Sequence, residues 1–226
     1  MVTAIFPAAG ASRRMGAGTN KIFLELGGES VLVRTLKTFS QSARINFLIV
    51  VTNEVETVTE ILNATPNLKP FAVTAGGSER QYSIANGLKL VPNDAEIVLV
   101  HDAARPLINL ETIENVIDAA EKFGGAIAAV PEKNTIKVID AEGFVKSTPP
   151  RAELVAVQTP QGFKKEILLR AYEQAATDNF LGTDDASLVE RIGGKIKIVK
   201  SSYKNIKITT PEDIQIAETF LRSEKL

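Results

Sequence analysis

Cysteine and tryptophan are absent from the 226 residues, and histidine occurs once. Without a thiol there is no disulfide, no thiol nucleophile and no Cys-based zinc or iron–sulfur centre. A Ser–His–acid hydrolase would have to use His101, and no G-x-S-x-G elbow presents a serine to it. Charge of one sign is lacking as well: 26 Lys and Arg against 27 Asp and Glu leave a net −1. That balance argues against a general nucleic-acid binder or a membrane-surface protein, and leaves room for a local basic pocket. Aromatics are 6% of the residues, too few to suggest a stacking platform for single strands. No apolar run approaches the ~18–20 residues of a membrane span. The apolar start, Met1–Pro7, lacks the basic flank of a secretory signal. The expectation is a soluble, cytoplasmic protein with neither nucleic acid nor membrane as partner.

What is present is ordinary globular composition, 44% apolar and 23% charged, enough for one good core. Short β-branched runs alternate with amphipathic stretches. Strands are predicted at Val2–Phe6, Asn46–Thr52, Phe71–Thr74, Glu96–His101 and Gly125–Val130, with helices between them. Ser30 and Asn109 stand where N-caps belong. This β-α order predicts an α/β fold, a Rossmann-like, doubly wound, mostly parallel sheet whose strand ends at 7, 52, 75, 101 and 130 face a ligand crevice. From Lys133 to Gln158 the rhythm changes to a β-hairpin, read as a protruding β-arm inserted at about 133–158 in a single domain spanning 1–226. Beyond it, Phe163–Ala176 and Asp184–Ile192 read as helices, and Lys195–Val199 and Ile206–Ile208 as strands. A last helix opens at Pro211.

The densest chemical signal is Pro7-Ala8-Ala9-Gly10-Ala-Ser12-Arg13-Arg14-Met15, with Lys21 six residues on. Small residues after a strand end let backbone N–H groups approach a phosphate or a base edge. Several cations on one loop suit a nucleoside triphosphate. The loop is neither a Walker A nor a G-x-G-x-x-G fingerprint, which removes the defining element of P-loop NTPases and nicotinamide dehydrogenases. His101 reads as a packed, hydrogen-bonded histidine, Asp184-Asp185 as a helix cap rather than a metal pair, and Arg13 as solvated. Asp102, at a strand end, suits contact with a hydroxyl or a metal.

The pattern Pro7-Ala-Ala-Gly-x-x-x-Arg14-Met…Lys21 resembles the signature of nucleotidyltransferases that couple a nucleoside triphosphate to a sugar or polyol phosphate. Five further segments resemble one branch of them: Gly76-Gly-x-x-Arg80-x-x-Ser83, Val98-Leu-Val-His-Asp102-Ala-Ala-Arg105-Pro, Thr159-Pro-Gln161, Thr183-Asp-Asp-Ala-Ser187, and Asn205-Ile-Lys207-Ile-Thr-x-Pro-Glu-Asp213. That branch is the methylerythritol-phosphate cytidylyltransferases of the non-mevalonate isoprenoid pathway, and the matches keep their order over nearly the whole chain. The resemblance implies CTP and 2-C-methyl-D-erythritol 4-phosphate as substrates, Mg2+ as cofactor and a homodimer through the β-arm. It implies that Ala8, Ala9, Gly10, Gly76, Ser83, Asp102 and Ala103 bind the nucleotide, with Asp102 also the candidate metal contact. Arg14, Lys21 and Lys207 would act on the phosphates as catalytic residues. Arg105, Thr135, Arg151 and Lys207 would hold the polyol phosphate, Thr135 and Arg151 reaching a neighbouring subunit. Two departures stand out: Ser12 where such loops commonly have glycine, and Asn20 where they commonly have proline, the latter expected to loosen the approach to Lys21. Two other readings stay open, a ribitol-phosphate or other sugar-phosphate nucleotidyltransferase, and a non-catalytic nucleotide-binding protein.

Overall fold

Val2–Phe6 carries no charged residue and is buried on both sides in the computed structural model, which describes residues 1–10 and 20–223. It forms β1 (Val2–Pro7). Along it Val2, Ala4 and Phe6 point to one face and Ile5 to the other, and β4 (Ile45–Thr52) repeats the division with Leu48 and Val50 against Ile49 and Val51. A strand apolar on both faces belongs in the middle of a sheet covered on both sides. In chain order the remaining elements begin with β2 (Glu25–Leu26), β3 (Glu29–Ser30), α1 (Val31–Ser40), α2 (Val55–Asn63), β5 (Phe71–Ala75) and α3 (Arg80–Leu88). The middle of the chain adds β6 (Ile97–Val100), α4 (Leu110–Phe123), β7 (Gly125–Pro131), β8 (Val138–Ile139) and β9 (Val145–Ser147). The last elements are β10 (Val155–Lys164), α5 (Lys165–Thr177), α6 (Asp185–Arg191), β11 (Lys197–Lys200) and α7 (Pro211–Ser223).

Seven strands make one sheet in the order β11-β7-β10-β6-β1-β4-β5, parallel throughout except for β10. Helices α1, α2 and α4 cover one face through Leu32, Phe39, Val58, Ile113 and Val116, and α3, α5 and α6 cover the other through Ile84, Leu168, Ala171 and Leu188. Each such fully buried aliphatic or aromatic side chain contributes about 1.5–3 kcal/mol of transfer free energy, so both layers are held mainly by area removed from water. The predicted caps are in place: Ser30 Oγ accepts from Val33 N at 3.3 Å, and Asn109 Oδ1 accepts from Thr112 N at 2.9 Å. A third, smaller cluster (Leu26, Val31, Ala104, Ile208, Ala217) docks α7 beside the loop after β6.

Two sequence expectations are corrected. Phe163 does not start a helix; it lies buried in β10, which runs on to Lys164. Pro160 does not break this central strand because the pairing with β7 shifts register between Val157 and Gln161, and pairing with β6 begins only at Gln161. Pro160 therefore sits where no ladder N–H is required. Gly162 is needed for packing: a Cβ there would lie 2.8 Å from Leu99 Cδ2 and 2.9 Å from Val116 Cγ1 of α4. The second correction is Ile206–Ile208, which pairs with no strand; Ile208 N donates once, to Ala104 O at 2.8 Å. Its alternation is real nonetheless. Ile206 and Ile208 enter the third cluster while Lys207 between them turns the other way.

The segment between β7 and β10 leaves and returns at one point, where Glu132 N donates to Leu154 O at 3.1 Å. Among the described residues β8 and β9 pair only with each other, and residues 133–148 are all exposed.

Candidate active site

The parallel strands β1, β4, β5 and β6 end on the same edge, and the residues just beyond them meet in a hollow of about 580 Å³. Ala8, Ala9 and Gly10 come from the end of β1, Asn53 from β4, Gly77–Arg80 and Ser83 from the β5–α3 turn, and Asp102 from β6. Lys21 and Lys207, 186 sequence positions apart, both line the hollow. This is the crevice at the carboxyl ends that a doubly wound sheet provides.

Asp102 is the electrostatic centre of that hollow. Its carboxylate accepts from Lys207 Nζ at 2.8 Å and Arg80 Nε at 3.3 Å, and pairs with Arg105 Nε at 3.7 Å. Burial alone would push its pKa up. Arg80, Lys207 and Arg105 outweigh burial and hold the carboxyl well below the usual carboxylate range. Arg80 is shared: its Nη1 donates to Asp185 Oδ2 at 2.8 Å, and Asp185, wholly buried, also accepts from Tyr172 OH at 2.5 Å. Burial works against the charge on Arg80, but Asp185 and Asp102 together raise its pKa. Burial, reinforced by Asp185, holds the Tyr172 phenol well above its ordinary value. One guanidinium thus fastens the floor of the hollow to α5 and α6.

His101 lies behind this cluster, fully buried. Its Nε2 faces Arg105 O at 3.2 Å, and its Nδ1 faces Thr159 Oγ1 at 3.1 Å. A carbonyl only accepts, so Nε2 carries the proton and Nδ1 accepts from the threonine. The same Thr159 oxygen accepts from Asp102 N at 3.0 Å. Burial lowers the His101 pKa to about 3, so the ring is a neutral strut at physiological pH, as the sequence suggested. Asp184 is the N-cap of α6 in a capping box with Ser187, which also agrees with the sequence reading.

The other expected residues divide. Ala8, Ala9, Gly10, Lys21, Ser83, Asp102 and Lys207 all line the hollow. Gly76 does not; its N–H donates to Thr52 O at 3.2 Å, and its missing Cβ makes room for Ala9, whose Cβ would be 2.3 Å away. Gly77 lines the hollow instead, with its N–H donated to Ser83 Oγ at 3.0 Å. Ala103 is buried and turns its carbonyl to Thr35 Oγ1 at 2.9 Å, while Ala104 lines the hollow. Arg105 sits behind Asp102, donating from Nη1 to Asn205 O at 2.7 Å. Burial lowers its pKa, against the opposing pull of Asp102. Thr135 and Arg151 lie in the exposed excursion, Arg151 Nη1 donating to Lys133 O at 3.0 Å, and neither lines the hollow. Arg14 and Ser12 lie outside the described residues. Asn20 makes side-chain bonds where a proline would make none: its Nδ2 donates to both oxygens of Glu54 at 3.2 Å, and its Oδ1 accepts from Ile22 N at 3.4 Å. Arg80, Asn53 and Glu79 also line the hollow and were not singled out for the site; the Gly76-Gly-x-x-Arg80 motif was the signal available for the arginine.

The family model described as IspD, 2-C-methyl-D-erythritol 4-phosphate cytidylyltransferase, matches residues 2–223. The chain belongs to this cytidylyltransferase family. Among its relatives, the 2-C-methyl-D-erythritol 4-phosphate cytidylyltransferase of Caldanaerobacter subterraneus is 47% identical over 224 residues, covering 98% of this chain and 99% of the relative. That of Bacillus mycoides is 48% identical with both chains covered in full. Among solved structures, the 4-diphosphocytidyl-2C-methyl-D-erythritol synthase of Anaerococcus prevotii superposes with a TM-score of 0.87 at 34% identity, covering 98% of each chain. The cytidylyltransferase of Thermus thermophilus gives 0.79 at 30% identity over 97% of this chain and 98% of its own. The cytidylyltransferase family accounts for the order of the motifs, and four of the six motif segments line the hollow, those beginning at Pro7, Gly76, Val98 and Asn205. Among the described residues no helix is long and apolar enough to cross a membrane.

Proposed function

We propose that this chain couples CTP to 2-C-methyl-D-erythritol 4-phosphate and releases pyrophosphate. The observation that carries this reading is the convergence of Lys21 and Lys207, from opposite ends of the chain, on one hollow beside the small residues Ala8, Ala9 and Gly10. A phosphate oxygen of the polyol phosphate attacks the α-phosphorus of CTP. A new P–O bond forms as the bond to the bridging oxygen of the β-phosphate breaks, and pyrophosphate leaves with the electron pair. The nucleophile is already ionised near neutrality, its second pKa being about 6. No general base is required, which suits a chain whose one histidine is a buried neutral strut. The chemistry needs two anions brought together and the charge on the transition state neutralised.

In this reading Arg14 and Lys21 grip the triphosphate, and Lys207 leaves Asp102 to meet the phosphates. Ala8, Ala9, Gly10 and the Gly76-Gly77–Ser83 turn receive the nucleoside, and Asp102 and its neighbour Ala103 approach the ribose. Arg105 acts from behind, fixing Asp102. The donor set also suits magnesium. Asp102 is a charged carboxylate on the hollow's wall, and among the described residues no group of three acidic or imidazole ligands forms a protein cage. Mg2+ is commonly held by one or two carboxylates plus substrate phosphates, so Asp102 would hold it together with CTP. When bound, it supplies charge neutralisation on the phosphates.

Thr135 and Arg151 are proposed to serve the polyol phosphate of a neighbouring subunit. Exposed Ile139, Phe144 and Val145 on the excursion support a homodimer that covers them. Pyrophosphate release, measured with a panel of nucleoside triphosphates against methylerythritol phosphate, ribitol phosphate and a sugar phosphate, tests the whole reading. Release should be fastest with CTP and methylerythritol phosphate. Preference for ribitol phosphate would reassign the acceptor, and no release with any pair would leave a nucleotide-binding protein.

A further inference from the structure

Both described ends of the stretch that carries the loop cations are tied to one three-residue corner at the end of β4. At the near end, Asn53 Nδ2 donates to Ala9 O at 3.2 Å. At the far end, Glu54 accepts from Asn20 Nδ2 with both carboxylate oxygens at 3.2 Å. Glu54 is itself aimed: Thr52 Oγ1, on a fully buried residue of β4, donates to Glu54 Oε2 at 2.9 Å. Asn20 passes that fixation on. With φ −67° and ψ 124°, it caps the short 3-10 turn Lys21–Phe23 through its bond to Ile22 N. Lys21 is the first residue of that turn.

We infer that Glu54, acting through Asn20, is the positioning residue for Lys21, and that Thr52-Asn53-Glu54 brackets the two ends of the cationic loop. The inference rests on the proposal that Lys21 meets the phosphates. Its physical content is a short rigid path, buried β4 to Thr52 to Glu54 to Asn20 to the Lys21 turn, in which each link is a hydrogen bond through a planar or capped group. The Asn20 amide is shared between both Glu54 carboxylate oxygens, so the link holds Asn20 at the end of β4. Placement errors near 1 Å at a reacting centre cost up to about 10²-fold. The competing explanation is that Ile22, buried in the core, anchors the turn by itself. Glu54 makes no side-chain capping bond to α2, so removing its side chain costs that helix no capping hydrogen bond.

The test is steady-state pyrophosphate release with CTP and methylerythritol phosphate for Glu54→Ala, Asn20→Ala, the pair combined, and Glu54→Ala on Lys21→Ala, with thermal melts of each. Glu54→Ala should lower kcat about 10- to 30-fold while KM for the polyol phosphate moves less than about twofold and the melt stays near wild type. Asn20→Ala should do the same, the combined variant should be no slower than either alone, and Glu54→Ala should add nothing once Lys21 is gone. Turnover within about twofold of wild type for Glu54→Ala, multiplying losses in the combined variant, a further loss on Lys21→Ala, or a loss that tracks a lowered melt would each overturn the inference. Full turnover in Lys21→Ala alone would instead remove the role given to Lys21, a failure seen without touching Glu54.

Discussion

The hollow and the 133–154 excursion use their side chains in opposite ways. In the hollow the charged groups point inward, and the chain supplies their partners from far away in sequence: Arg80 reaches Asp102 and Asp185, and Lys207 reaches Asp102. In the excursion the apolar groups point outward, Phe144 at 68% and Ile139 at 61% exposure, on strands that among the described residues pair only with each other. A polar site whose groups are already paired is organised before its ligand arrives. In the excursion the large apolar side chains are instead left exposed. The proposed reaction draws on both, the nucleotide on the first and the polyol phosphate on the second.

The largest expected effect falls on the hollow alone. Lys21→Ala should lower turnover on the order of 10²–10³-fold, as loss of a preorganised charge at a phosphorus transition state does, with the melt retained; pyrophosphate release measures it. Next comes the buried charge network. Arg80→Met leaves Asp185 buried without its cation, and should cost about 2–3 kcal/mol in urea unfolding, below the full figure for a buried pair because the guanidinium is partly exposed. A loss below about 0.5 kcal/mol would show that the network does not hold the floor of the hollow.

The third prediction turns to the other region. Arg151→Ala should reduce kcat/KM for the polyol phosphate roughly 10-fold or more, with CTP binding unchanged by calorimetry. An equal loss for both substrates would break the division of labour between the two regions. The last effect is on pH dependence. Between pH 6.5 and about 3 unfolded His101 takes up a proton that the folded protein refuses. Stability is therefore lost as pH falls through that window, at no more than about 1.4 kcal/mol per pH unit from this group. His101→Gln should flatten the unfolding free energy over the window. Asp102 has the opposite chemistry with the same direction of loss: its lowered pKa gives stability above the unfolded carboxylate range that disappears only at more acid pH.

The parallel core was legible in the sequence because strands such as β1, β4 and β6 are uncharged, mostly apolar runs between amphipathic helices. The far half of β10 was not, because Pro160, Gln161 and Gly162 carry no strand signal; the register shift that tolerates the proline and the helix contact that demands the glycine exist only in the packed sheet. The site was half legible. Ala8–Gly10, Lys21, Asp102 and Lys207 stand at strand ends or in motifs and do meet. Arg80 and Glu54 were passed over for the site because their meaning lies in partners far along the chain, Asp185 for the first and Asn20 for the second. Asn20 shows the limit from the other side: its lack of a proline ring was visible, but the carboxylate that its amide meets was not.

The most direct measurement of the central claim is single-turnover pyrophosphate release by wild type, Lys21→Ala, Lys207→Ala and the double variant, with saturating CTP and methylerythritol phosphate. If the two ammonium groups neutralise one transition state in the shared hollow, each single variant should slow the chemical step about 10²-fold or more. The double variant should fall short of the product of the two losses. Undiminished release in Lys207→Ala would contradict the account.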